Sequence, residues 1–400
     1  MPNDAKVSTK ANPALLGNYN APPMTLVRGD GCHVFDSDGK RYLDLMGGIA
    51  TVVLGHCHPK VVAALEEQAH KLWHVSNLFG SAPKVRLAEQ LVEHSFADRV
   101  FFCNSGAEAN EAALKLARRY HADRNDPRPE FLAFERSFHG RTLFTVSATG
   151  NPAYWKGFEP IVDGFSFAPF GDLEAVKKLA TRRTAAILVE PVQGEGGVWP
   201  SPPGFLEGLR EAADAVGALL IFDEVQSGMG RTGKLFAYEH SNVTPDLMTL
   251  AKALGNGIPI GALCVTEAYA DVLVPGSHAS TFGGNPLATA CGSAVLTELL
   301  EGGVLEKARA TGDFFGQRLE AVSRAAGTRV VESRGLGLLQ ALECNAPVGP
   351  VIDRCREEGV LVISAGTNTL RLAPPLIISE AQIDEGIDVV ERAIRDVLPG

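Results

Sequence analysis

Two residues of complementary chemistry follow two apolar segments of the chain. Asp223 ends the run LLIFD, and Lys252 follows the run LMTLA further along. Because open α/β sheets bind ligands at the carboxyl ends of their strands, both side chains should lie at one sheet edge. A lysine amine can form a Schiff base with an aldehyde, and a carboxylate can hold a pyridine nitrogen in its protonated form. The pair therefore suits pyridoxal phosphate chemistry, although a loop-capping aspartate and an exposed lysine would explain it equally well.

A turn suited to a phosphate group lies earlier in the chain. In the segment NSGAEAN, Ser105, Gly106 and Ala107 join an apolar run to a helical pattern. Free N–H groups and a hydroxyl at a helix N-terminus bind anions, and small residues let a phosphate approach the backbone. Thr281, in the polar turn STFGGNP, could supply one more phosphate contact. These turns favour the cofactor interpretation of the lysine and aspartate pair.

The segment SFHGRT holds an aromatic residue and a cation close together. Phe138 could stack on a flat cofactor ring. Arg141 could bind a carboxylate through two parallel hydrogen bonds. Ordinary core packing for Phe138 and a surface salt bridge for Arg141 are the alternatives.

A glycine-rich segment resembles two nucleotide-binding patterns. Gly228, Gly230 and Gly233 match G-x-G-x-x-G, and residues 228–234 match all but the last position of a P-loop. The first pattern requires a helix directly after the glycines, whereas an aromatic, turn-rich segment follows here. Leu235 stands where a P-loop has its magnesium-binding hydroxyl. The glycines therefore indicate a tight loop beside a ligand and not a nucleotide site.

Two carboxylates near these segments are expected to serve the structure. Glu224 follows Asp223 directly, so it should face the other side of the strand. Glu190 begins the segment EPVQGEGG and should support the loop that follows, in preference to a substrate role.

The composition fits a globular enzyme with two domains. The 400 residues exceed one compact core, and 45% of them are hydrophobic, which is enough for a buried parallel sheet. The formal net charge of −10 argues against non-specific nucleic-acid binding, so anionic substrates would need locally placed arginines. His56, Cys57 and His58 resemble a metal cluster, but no further ligands stand at a known spacing, and we expect no metal site.

Several features predict a cytoplasmic protein. The seven cysteines are scattered without a C-x-x-C pair, which fits a reducing compartment. Residues 1–13 lack the apolar core of a signal peptide and should form a loose arm. The longest apolar run, residues 215–222, is too short to cross a membrane, so no membrane association is expected.

Apolar runs alternate with helical patterns, which predicts an α/β fold whose large domain holds a mostly parallel sheet flanked by helices. A smaller α+β domain should follow it, and the N-terminal segment, which contains a hairpin pattern, should pack with that small domain. The expected division is 1–45, 46–300 and 301–400. The predicted strands are 99–104, 185–192, 218–225, 246–251, 260–265, 329–331, 338–342 and 370–372, and the predicted helices are 107–120, 287–300 and 380–397.

Seven segments resemble, in order, those of the class III aminotransferases, which are fold type I pyridoxal phosphate enzymes: NSGAEANEAALKLAR, FHGRT, EPVQGEGGV, DEVQSGMGRTG, TLAKALGNGIPIGA, STFGGNP and RLAPPL. The resemblance extends from about Tyr19 to Leu376. Within the class, the segments are most similar to acetylornithine aminotransferases. The resemblance implies transfer of the terminal amino group of N2-acetyl-L-ornithine to 2-oxoglutarate in arginine biosynthesis. It also implies a homodimer with shared active sites.

The resemblance further implies the roles of the cofactor-binding residues. Lys252 would form the Schiff base and, once freed by substrate, move a proton on the substrate. Asp223 would hold the pyridinium, and Gln226 would bond the oxygen of the ring hydroxyl. The other cofactor-binding residues would be Ser105, Gly106 and Ala107 at the phosphate, Phe138 stacked on the ring, and Thr281 reaching the phosphate of the neighbouring subunit.

Two arginines would bind the two substrates in turn. Arg141 would hold the α-carboxylate of the acylornithine while Glu195 pairs with Arg371. When glutamate enters, Glu195 would release Arg371 to hold the α-carboxylate, and Arg141 would take the side-chain carboxylate. The resemblance thus implies a movable pair of charges that lets one pocket serve a terminal amine and an α-amine.

The identity of the amine donor depends on one position. Ornithine aminotransferases, which share nearly all of these segments, have a tyrosine where this chain has Gly80. That tyrosine binds the free α-amine of ornithine, so its absence leaves room for an acyl group. Ser76, Asn77 and Tyr19 should line the same end of the pocket. Ornithine, succinylornithine, 4-aminobutyrate or acyl-diaminopimelate aminotransferases are the alternatives, together with a pyridoxal-phosphate-binding regulator that has no turnover.

Overall fold

The computed structural model describes residues 14–400. The arm predicted for residues 1–13 lies outside the described residues. The helices are α1 (Gly47–Ala50), α2 (Pro59–Ala69), α3 (Ala82–Glu93), α4 (Gly106–Ala122), α5 (Leu143–Ala148), α6 (Leu173–Leu179), α7 (Phe205–Val216), α8 (Pro286–Leu300), α9 (Val304–Ala326), α10 (Gly349–Glu357) and α11 (Glu380–Val397).

The strands pair into four sheets within the described residues. They are β1 (Leu26–Asp30), β2 (His33–Asp36), β3 (Arg41–Asp44), β4 (Arg99–Cys103), β5 (Glu130–Phe134), β6 (Phe165–Ala168), β7 (Thr184–Val189), β8 (Val192–Gln193), β9 (Trp199–Pro200), β10 (Leu219–Asp223), β11 (Leu247–Leu250), β12 (Gly261–Val265), β13 (Val330–Leu336), β14 (Leu339–Cys344), β15 (Val360–Leu361), β16 (Ile363–Ser364) and β17 (Thr369–Leu372).

The central sheet has seven strands in the order β4-β12-β11-β10-β7-β5-β6. Strand β10 pairs in parallel with β7 and β11, and β5 pairs in parallel with β6 and β7. Strand β12 runs antiparallel to β11 and β4. The sheet is therefore mostly parallel, as predicted, with one reversed strand.

Strand β10 is buried on both faces because helices cover the sheet on both sides. Leu219 and Ile221 pack in a hydrophobic cluster with α4, whereas Leu220 and Phe222 pack in another with α7. Side chains alternate along a strand, so Asp223, at the end of β10, lies on the α4 side. The fold thereby brings this carboxylate to the helix that begins at the predicted phosphate turn.

The remaining larger sheets involve both ends of the described chain. The sheet β13-β14-β17-β16 is antiparallel throughout, and α9 packs on β13 and against α11. In the sheet β1-β2-β3-β15, the N-terminal strand β3 pairs with β15 from the C-terminal part. The main hydrophobic cluster includes Leu43, Leu54, Leu296 and Leu319, which lie on both sides of each expected boundary. The domain division itself stays a prediction.

Two strands of the central sheet were not predicted from the sequence. Strands β5 and β6 are short, with five and four residues. The predicted strand 185–192 is also wrong at its end, because β7 stops at Val189 and β8 begins at Val192. Pro191 lies between them and has no N–H to donate to a sheet.

Within residues 14–400, no helix combines the length and apolar character needed to span a bilayer. The same part of the chain contains no group of three or more histidine, cysteine, aspartate or glutamate side chains arranged to hold a metal ion. His56, from the histidine and cysteine segment where no metal site was expected, has its Nε2 atom 2.8 Å from Oδ2 of Asp44.

Candidate active site

Asp223 is held rigidly at the end of β10. Its side chain is buried, and Oδ2 accepts hydrogen bonds from Nδ2 of Asn110 at 2.7 Å and from Nδ1 of His139 at 2.8 Å. The backbone N–H of Val225 donates to Oδ1 at 3.0 Å. Three donors therefore fix the plane of this carboxylate.

Asn110 and His139 are functional residues that sequence reasoning missed, although both stand in motifs of interest. Nδ2 of Asn110 also donates to the carbonyl of His139 at 2.9 Å, and Thr249 Oγ1 donates to Oδ1 of Asn110 at 2.8 Å. Because an ionised carboxylate can only accept, Nδ1 of His139 must carry the proton that it shares with Asp223. Nε2 of His139 is buried without a hydrogen-bond partner in residues 14–400.

Lys252 is separated from the end of β11 by Ala251 and begins a short 3-10 helix, Lys252–Gly255. Its φ of 41° falls in the left-handed region, which is unfavourable for a residue with a side chain and is typical of functional sites. Burial lowers the pKa of the Lys252 ammonium, although the charge of Glu195 acts in the opposite direction. The amine makes no hydrogen bond or ion pair within residues 14–400, so it is available to a ligand.

The predicted phosphate turn forms the start of α4. Ser105 is the N-cap residue, and its Oγ accepts a hydrogen bond from the backbone N–H of Glu108 at 3.2 Å. Gly106 packs so closely on Val225 that an added Cβ would lie 2.8 Å from the valine methyl groups. The first N–H groups of a helix have no partner inside it, so those of Gly106 and Ala107 can bind an anion.

One cavity of about 350 Å³ is lined by Asp223, Lys252, Asn110, His139 and the phosphate turn. Asp223 and Lys252 meet there with the phosphate turn, as the strand-end argument predicted. Phe138 and Val225 supply apolar surface to the same cavity. A carboxylate, a free amine, an anion-binding helix start and apolar walls together fit a flat, phosphorylated ring that carries a basic nitrogen and an aldehyde.

Glu190 joins two loops of this cavity through its carboxylate. Oε1 accepts from the backbone N–H of Phe138 at 2.8 Å, and Oε2 accepts from that of Gly194 at 3.2 Å. Burial raises the pKa of Glu190 to about 7, while the charge of His139 acts in the opposite direction. The predicted loop support is confirmed, and the residue also lines the cavity.

Glu195, Gln226 and Arg371 form a charged cluster beside Lys252. Nη1 of Arg371 lies 2.5 Å from Oε1 of Glu195, and it donates to Oε1 of Gln226 at 3.1 Å. Nε2 of Gln226 donates to the same glutamate oxygen at 3.2 Å. Burial would raise the pKa of Glu195, but the charge and hydrogen bonds of Arg371 outweigh it and leave the pKa lowered. The ion pair is thus formed, with the arginine buried and the glutamate partly exposed.

Arg141 differs from Arg371 because no carboxylate neutralises it within the described residues. It is exposed and lines the cavity of about 350 Å³ that contains Asp223 and Lys252, which we call the cofactor-sized cavity. Its guanidinium carbon lies 3.9 Å from the ring centroid of Tyr154 and 5.4 Å from that of Phe138. The two rings hold the cation at the mouth of the cavity, where it can bind an anionic substrate.

Thr281 and Asn77 lie together, away from this cavity. Asn77 Nδ2 donates to the carbonyls of Ser280 at 3.0 Å and Gly283 at 3.2 Å, which ties the segment around Asn77 to the STFGGNP turn. Thr281 is exposed and lines a small separate cavity with Ser76. The roles of these three residues stay predictions.

Two further predicted substrate residues also stand apart from the cavity in the single chain. Tyr19 is 86% exposed. Gly80 is exposed, and an added Cβ would meet no atom within 4 Å. Their predicted contacts with substrate therefore stay predictions.

The glycine-rich segment after Asp223 has a structural role. No α-helix follows it, since the next element is a short 3-10 helix, Ala237–His240. Arg231 within it is fully buried and donates to the carbonyls of Leu338 and Pro374. Glu224 faces away from the cavity, as predicted, and accepts hydrogen bonds from the N–H groups that begin the 3-10 helix.

Comparisons with known proteins agree with this geometry. The profile of the Aminotransferase class-III family matches residues 17–394. The chain is 53% identical to an acetylornithine aminotransferase of Myxococcus xanthus, over 94% of each protein. It is 46% identical to a succinylornithine transaminase/acetylornithine aminotransferase of Pseudomonas aeruginosa, over 96% of each protein.

A solved structure of similar fold is the ornithine aminotransferase of Toxoplasma gondii, which has partial occupancy of PLP at its active site. The TM-score is 0.92 with 33% identity, over 96% of this chain and 92% of the other. The fold, the site and the sequence agree over nearly the full length, and the chain is therefore a member of the class-III aminotransferase family.

Proposed function

We propose that this protein binds pyridoxal 5'-phosphate and moves the terminal amino group of N2-acetyl-L-ornithine to 2-oxoglutarate. The products are N-acetyl-L-glutamate 5-semialdehyde and L-glutamate, so the amine leaves one substrate and enters the other without a net redox change. In this proposal the reaction serves arginine biosynthesis. The proposed activity is supported by the cavity that contains Asp223 and Lys252 and by the names of similar relatives.

The proposal gives each residue of the cavity a task. Bound at Lys252, the cofactor supplies an electron-accepting ring that stabilises negative charge on the substrate carbon. Asp223 keeps the ring nitrogen protonated, and Asn110 and His139 keep that carboxylate in place. Lys252, with its lowered pKa, can take a proton from the substrate carbon and return it. Ser105 and the first N–H groups of α4 hold the phosphate.

The observation that best supports a two-substrate enzyme is the contrast between its two arginines. Arg371 is neutralised by Glu195, whereas Arg141 is open to an incoming carboxylate. N2-acetyl-L-ornithine, which has one carboxylate, needs only Arg141. Glutamate has two carboxylates, and its entry requires Glu195, which is partly exposed, to move away from Arg371.

A substrate panel tests the proposed activity. Glutamate formation from 2-oxoglutarate should be fastest with an Nα-acylated ornithine, compared with free ornithine and 4-aminobutyrate. A regulator without turnover would form no glutamate with any donor. Free ornithine outrunning both acetylornithine and succinylornithine by a wide margin would contradict the proposed donor class.

Replacing Gly80 with tyrosine should shift the preferred amine donor from acetylornithine towards free ornithine. Gly80 does not have a left-handed backbone and has open space around it, so the side chain should fit without harm to the fold. A tyrosine there would occupy the space proposed for the acyl group, and we expect kcat/KM for acetylornithine to fall at least about tenfold, which corresponds to about 1.4 kcal/mol. The value for free ornithine should stay equal or rise. A parallel fall for both donors would show that Gly80 does not select the acyl group.

The proposed enzyme is a homodimer whose active sites are shared. Leu78, Phe79 and Phe282 are more than half exposed in the single chain, next to Thr281 and Asn77. Contiguous exposed apolar residues mark protein interfaces. Because Asn77 binds the STFGGNP turn, a partner that receives Thr281 at its phosphate would receive the segment around Gly80 as well.

Replacing Phe79 with arginine tests this interface. Phe79 is 69% exposed, so the change should leave the subunit folded but bury an unpaired charge in a dimer. We expect sedimentation velocity to detect mainly monomers, with reduced cofactor retention. Val331→Arg, at a position that is 67% exposed in β13, is the matched control and should stay dimeric. Dimers of unchanged stability in Phe79→Arg would contradict the proposed interface.

We also propose that the enzyme acts in the cytoplasm. All seven cysteines are unpaired, and six of them are buried. Free buried thiols fit a reducing compartment. Detection of the protein outside the cytoplasm after cell fractionation would contradict this location.

A further inference from the structure

A second cavity of about 580 Å³ adjoins the proposed active site. It shares Phe138 with the cofactor-sized cavity and also touches Glu195. Tyr154, Trp155 and Phe167 give it aromatic walls. None of the roles proposed for the active-site residues uses this space.

Tyr154 connects the second cavity with Arg141. The Arg141 guanidinium lies on the Tyr154 ring, and that ring meets Phe138 edge to face at 5.9 Å between centroids. A substrate whose α-carboxylate binds Arg141 has its α-nitrogen two bonds away from that carboxylate. A group attached to the α-nitrogen is therefore within reach of Tyr154 and of the cavity behind it.

Arg136 lines the second cavity and has no partner for its charge. It is exposed, and its guanidinium carbon lies 4.9 Å from the ring centroid of Trp199. It makes no ion pair or side-chain hydrogen bond within residues 14–400. An arginine held against an aromatic ring and without an ion-pair partner can bind a carboxylate through two hydrogen bonds.

The backbone at Arg136 is unusually constrained. Its φ is 63°, in the left-handed region, and its carbonyl packs so closely on Gly196 that an added Cβ there would lie 2.4 Å from the oxygen. Backbone strain of this kind persists where the surrounding structure fixes a residue, and it is concentrated at active sites and ligand-binding sites. The loop that presents Glu195 thus also fixes the position of Arg136.

We propose that the second cavity binds the Nα-acyl group of the amine donor and that Arg136 binds a terminal carboxylate on that group. The cavity then accepts dicarboxylic acyl groups such as succinyl as well as acetyl. A succinyl chain spans about 5 Å from the amide nitrogen to its carboxylate carbon, by standard bond lengths. The inference rests on the proposed function, because it assumes an Nα-acylated donor held by Arg141.

The charges around the cavity agree with an anionic acyl group. Glu195 also faces this space, but Arg371 neutralises it. Glu135 lies at the rim, is exposed, and forms no ion pair with Arg136 within the described residues. Arg136 is therefore the charge best placed to select between a neutral and an anionic acyl end.

The experiment compares Arg136→Gln and Arg136→Lys with wild type on N2-succinylornithine and N2-acetylornithine. Both substitutions keep a side chain at the strained position, and Arg182→Gln, at an exposed arginine outside the cavity, is the matched control. Arg136→Gln should lower kcat/KM for the succinyl donor at least about tenfold, since hydrogen bonds to a charged group are strong. The acetyl donor should change less than about twofold, and lysine should restore part of the succinyl activity.

A binding measurement gives a second readout without turnover. N2-succinyl-norvaline and N2-acetyl-norvaline lack the terminal amine, and calorimetry on the holoenzyme gives the Kd of each. Arg136→Gln should weaken only the succinyl compound. Equal effects on both acyl groups, or none, would overturn the inference. A wild-type enzyme inactive with both acyl donors would instead overturn the proposed function.

Discussion

Replacement of Lys252 by alanine is expected to lower kcat by at least about 10⁴-fold, because one residue both attaches the cofactor and moves the proton. The fold should survive. The Lys252 amine makes no hydrogen bond or ion pair within residues 14–400, and burial already disfavours its charge. Alanine also adopts the same left-handed backbone no worse than lysine does.

Two measurements separate loss of chemistry from loss of structure. Borohydride should fix pyridoxal phosphate covalently to Lys252 in the wild-type protein and leave the alanine variant unlabelled, while the thermal midpoint of the apo form changes little. Lys178→Ala, at an exposed lysine of α6, is the control and should keep full activity and labelling. Labelling at another lysine in the wild-type protein would remove Lys252 from its proposed role.

The position of the reactive pair could be predicted because it depends on one general rule. Asp223 ends one apolar strand and Lys252 follows another, and parallel neighbours end at the same sheet edge. Strands β10 and β11 are indeed adjacent and parallel, with Asp223 paired to Thr249. Sequence alone could therefore bring the two groups together without any knowledge of the loops.

The support around Asp223 could not be predicted in the same way. Asn110 lies 113 positions from Asp223, and His139 lies 84 positions away. Their contact depends on how α4 crosses the sheet and where the segment after β5 turns, which no local pattern records. The available sequence signal was that both residues stand in candidate site segments. Asn110 shares the segment NSGAEAN with Ser105, and His139 shares SFHGRT with Phe138.

The donor end of the pocket was the least accessible to sequence reasoning. Arg136 directly precedes the SFHGRT segment and Tyr154 lies beyond α5, but neither belongs to a recognised pattern. Their shared cavity appears only when the loops are placed. Gly80 and Thr281 present the opposite case, because their residue types were informative, whereas the contacts proposed for them would be made with a second subunit. Local sequence therefore reveals the chemistry of a residue better than it reveals which residues that residue contacts.

Removal of the Arg371 side chain should separate the two half-reactions. Arg371→Ala is expected to slow amine transfer from glutamate by about 100-fold or more, since the loss of a bidentate charged contact is worth about 3 kcal/mol or more. Transfer from acetylornithine, which needs Arg141 alone, should slow less than about tenfold. Single-turnover absorbance changes of the bound cofactor measure each half-reaction separately.

The double variant Arg371→Ala with Glu195→Gln controls for stability. Alanine alone leaves the partly buried Glu195 without its partner, so some loss in the free energy of unfolding is expected from that carboxylate. Glutamine removes the unpaired charge and should restore much of the stability, yet it cannot restore the glutamate half-reaction. Recovery of glutamate transfer in the double variant, or an equal fall in both half-reactions, would contradict the proposed exchange. The ion pair would then be a fixed structural element, and one pocket could not serve both substrates by exposing Arg371.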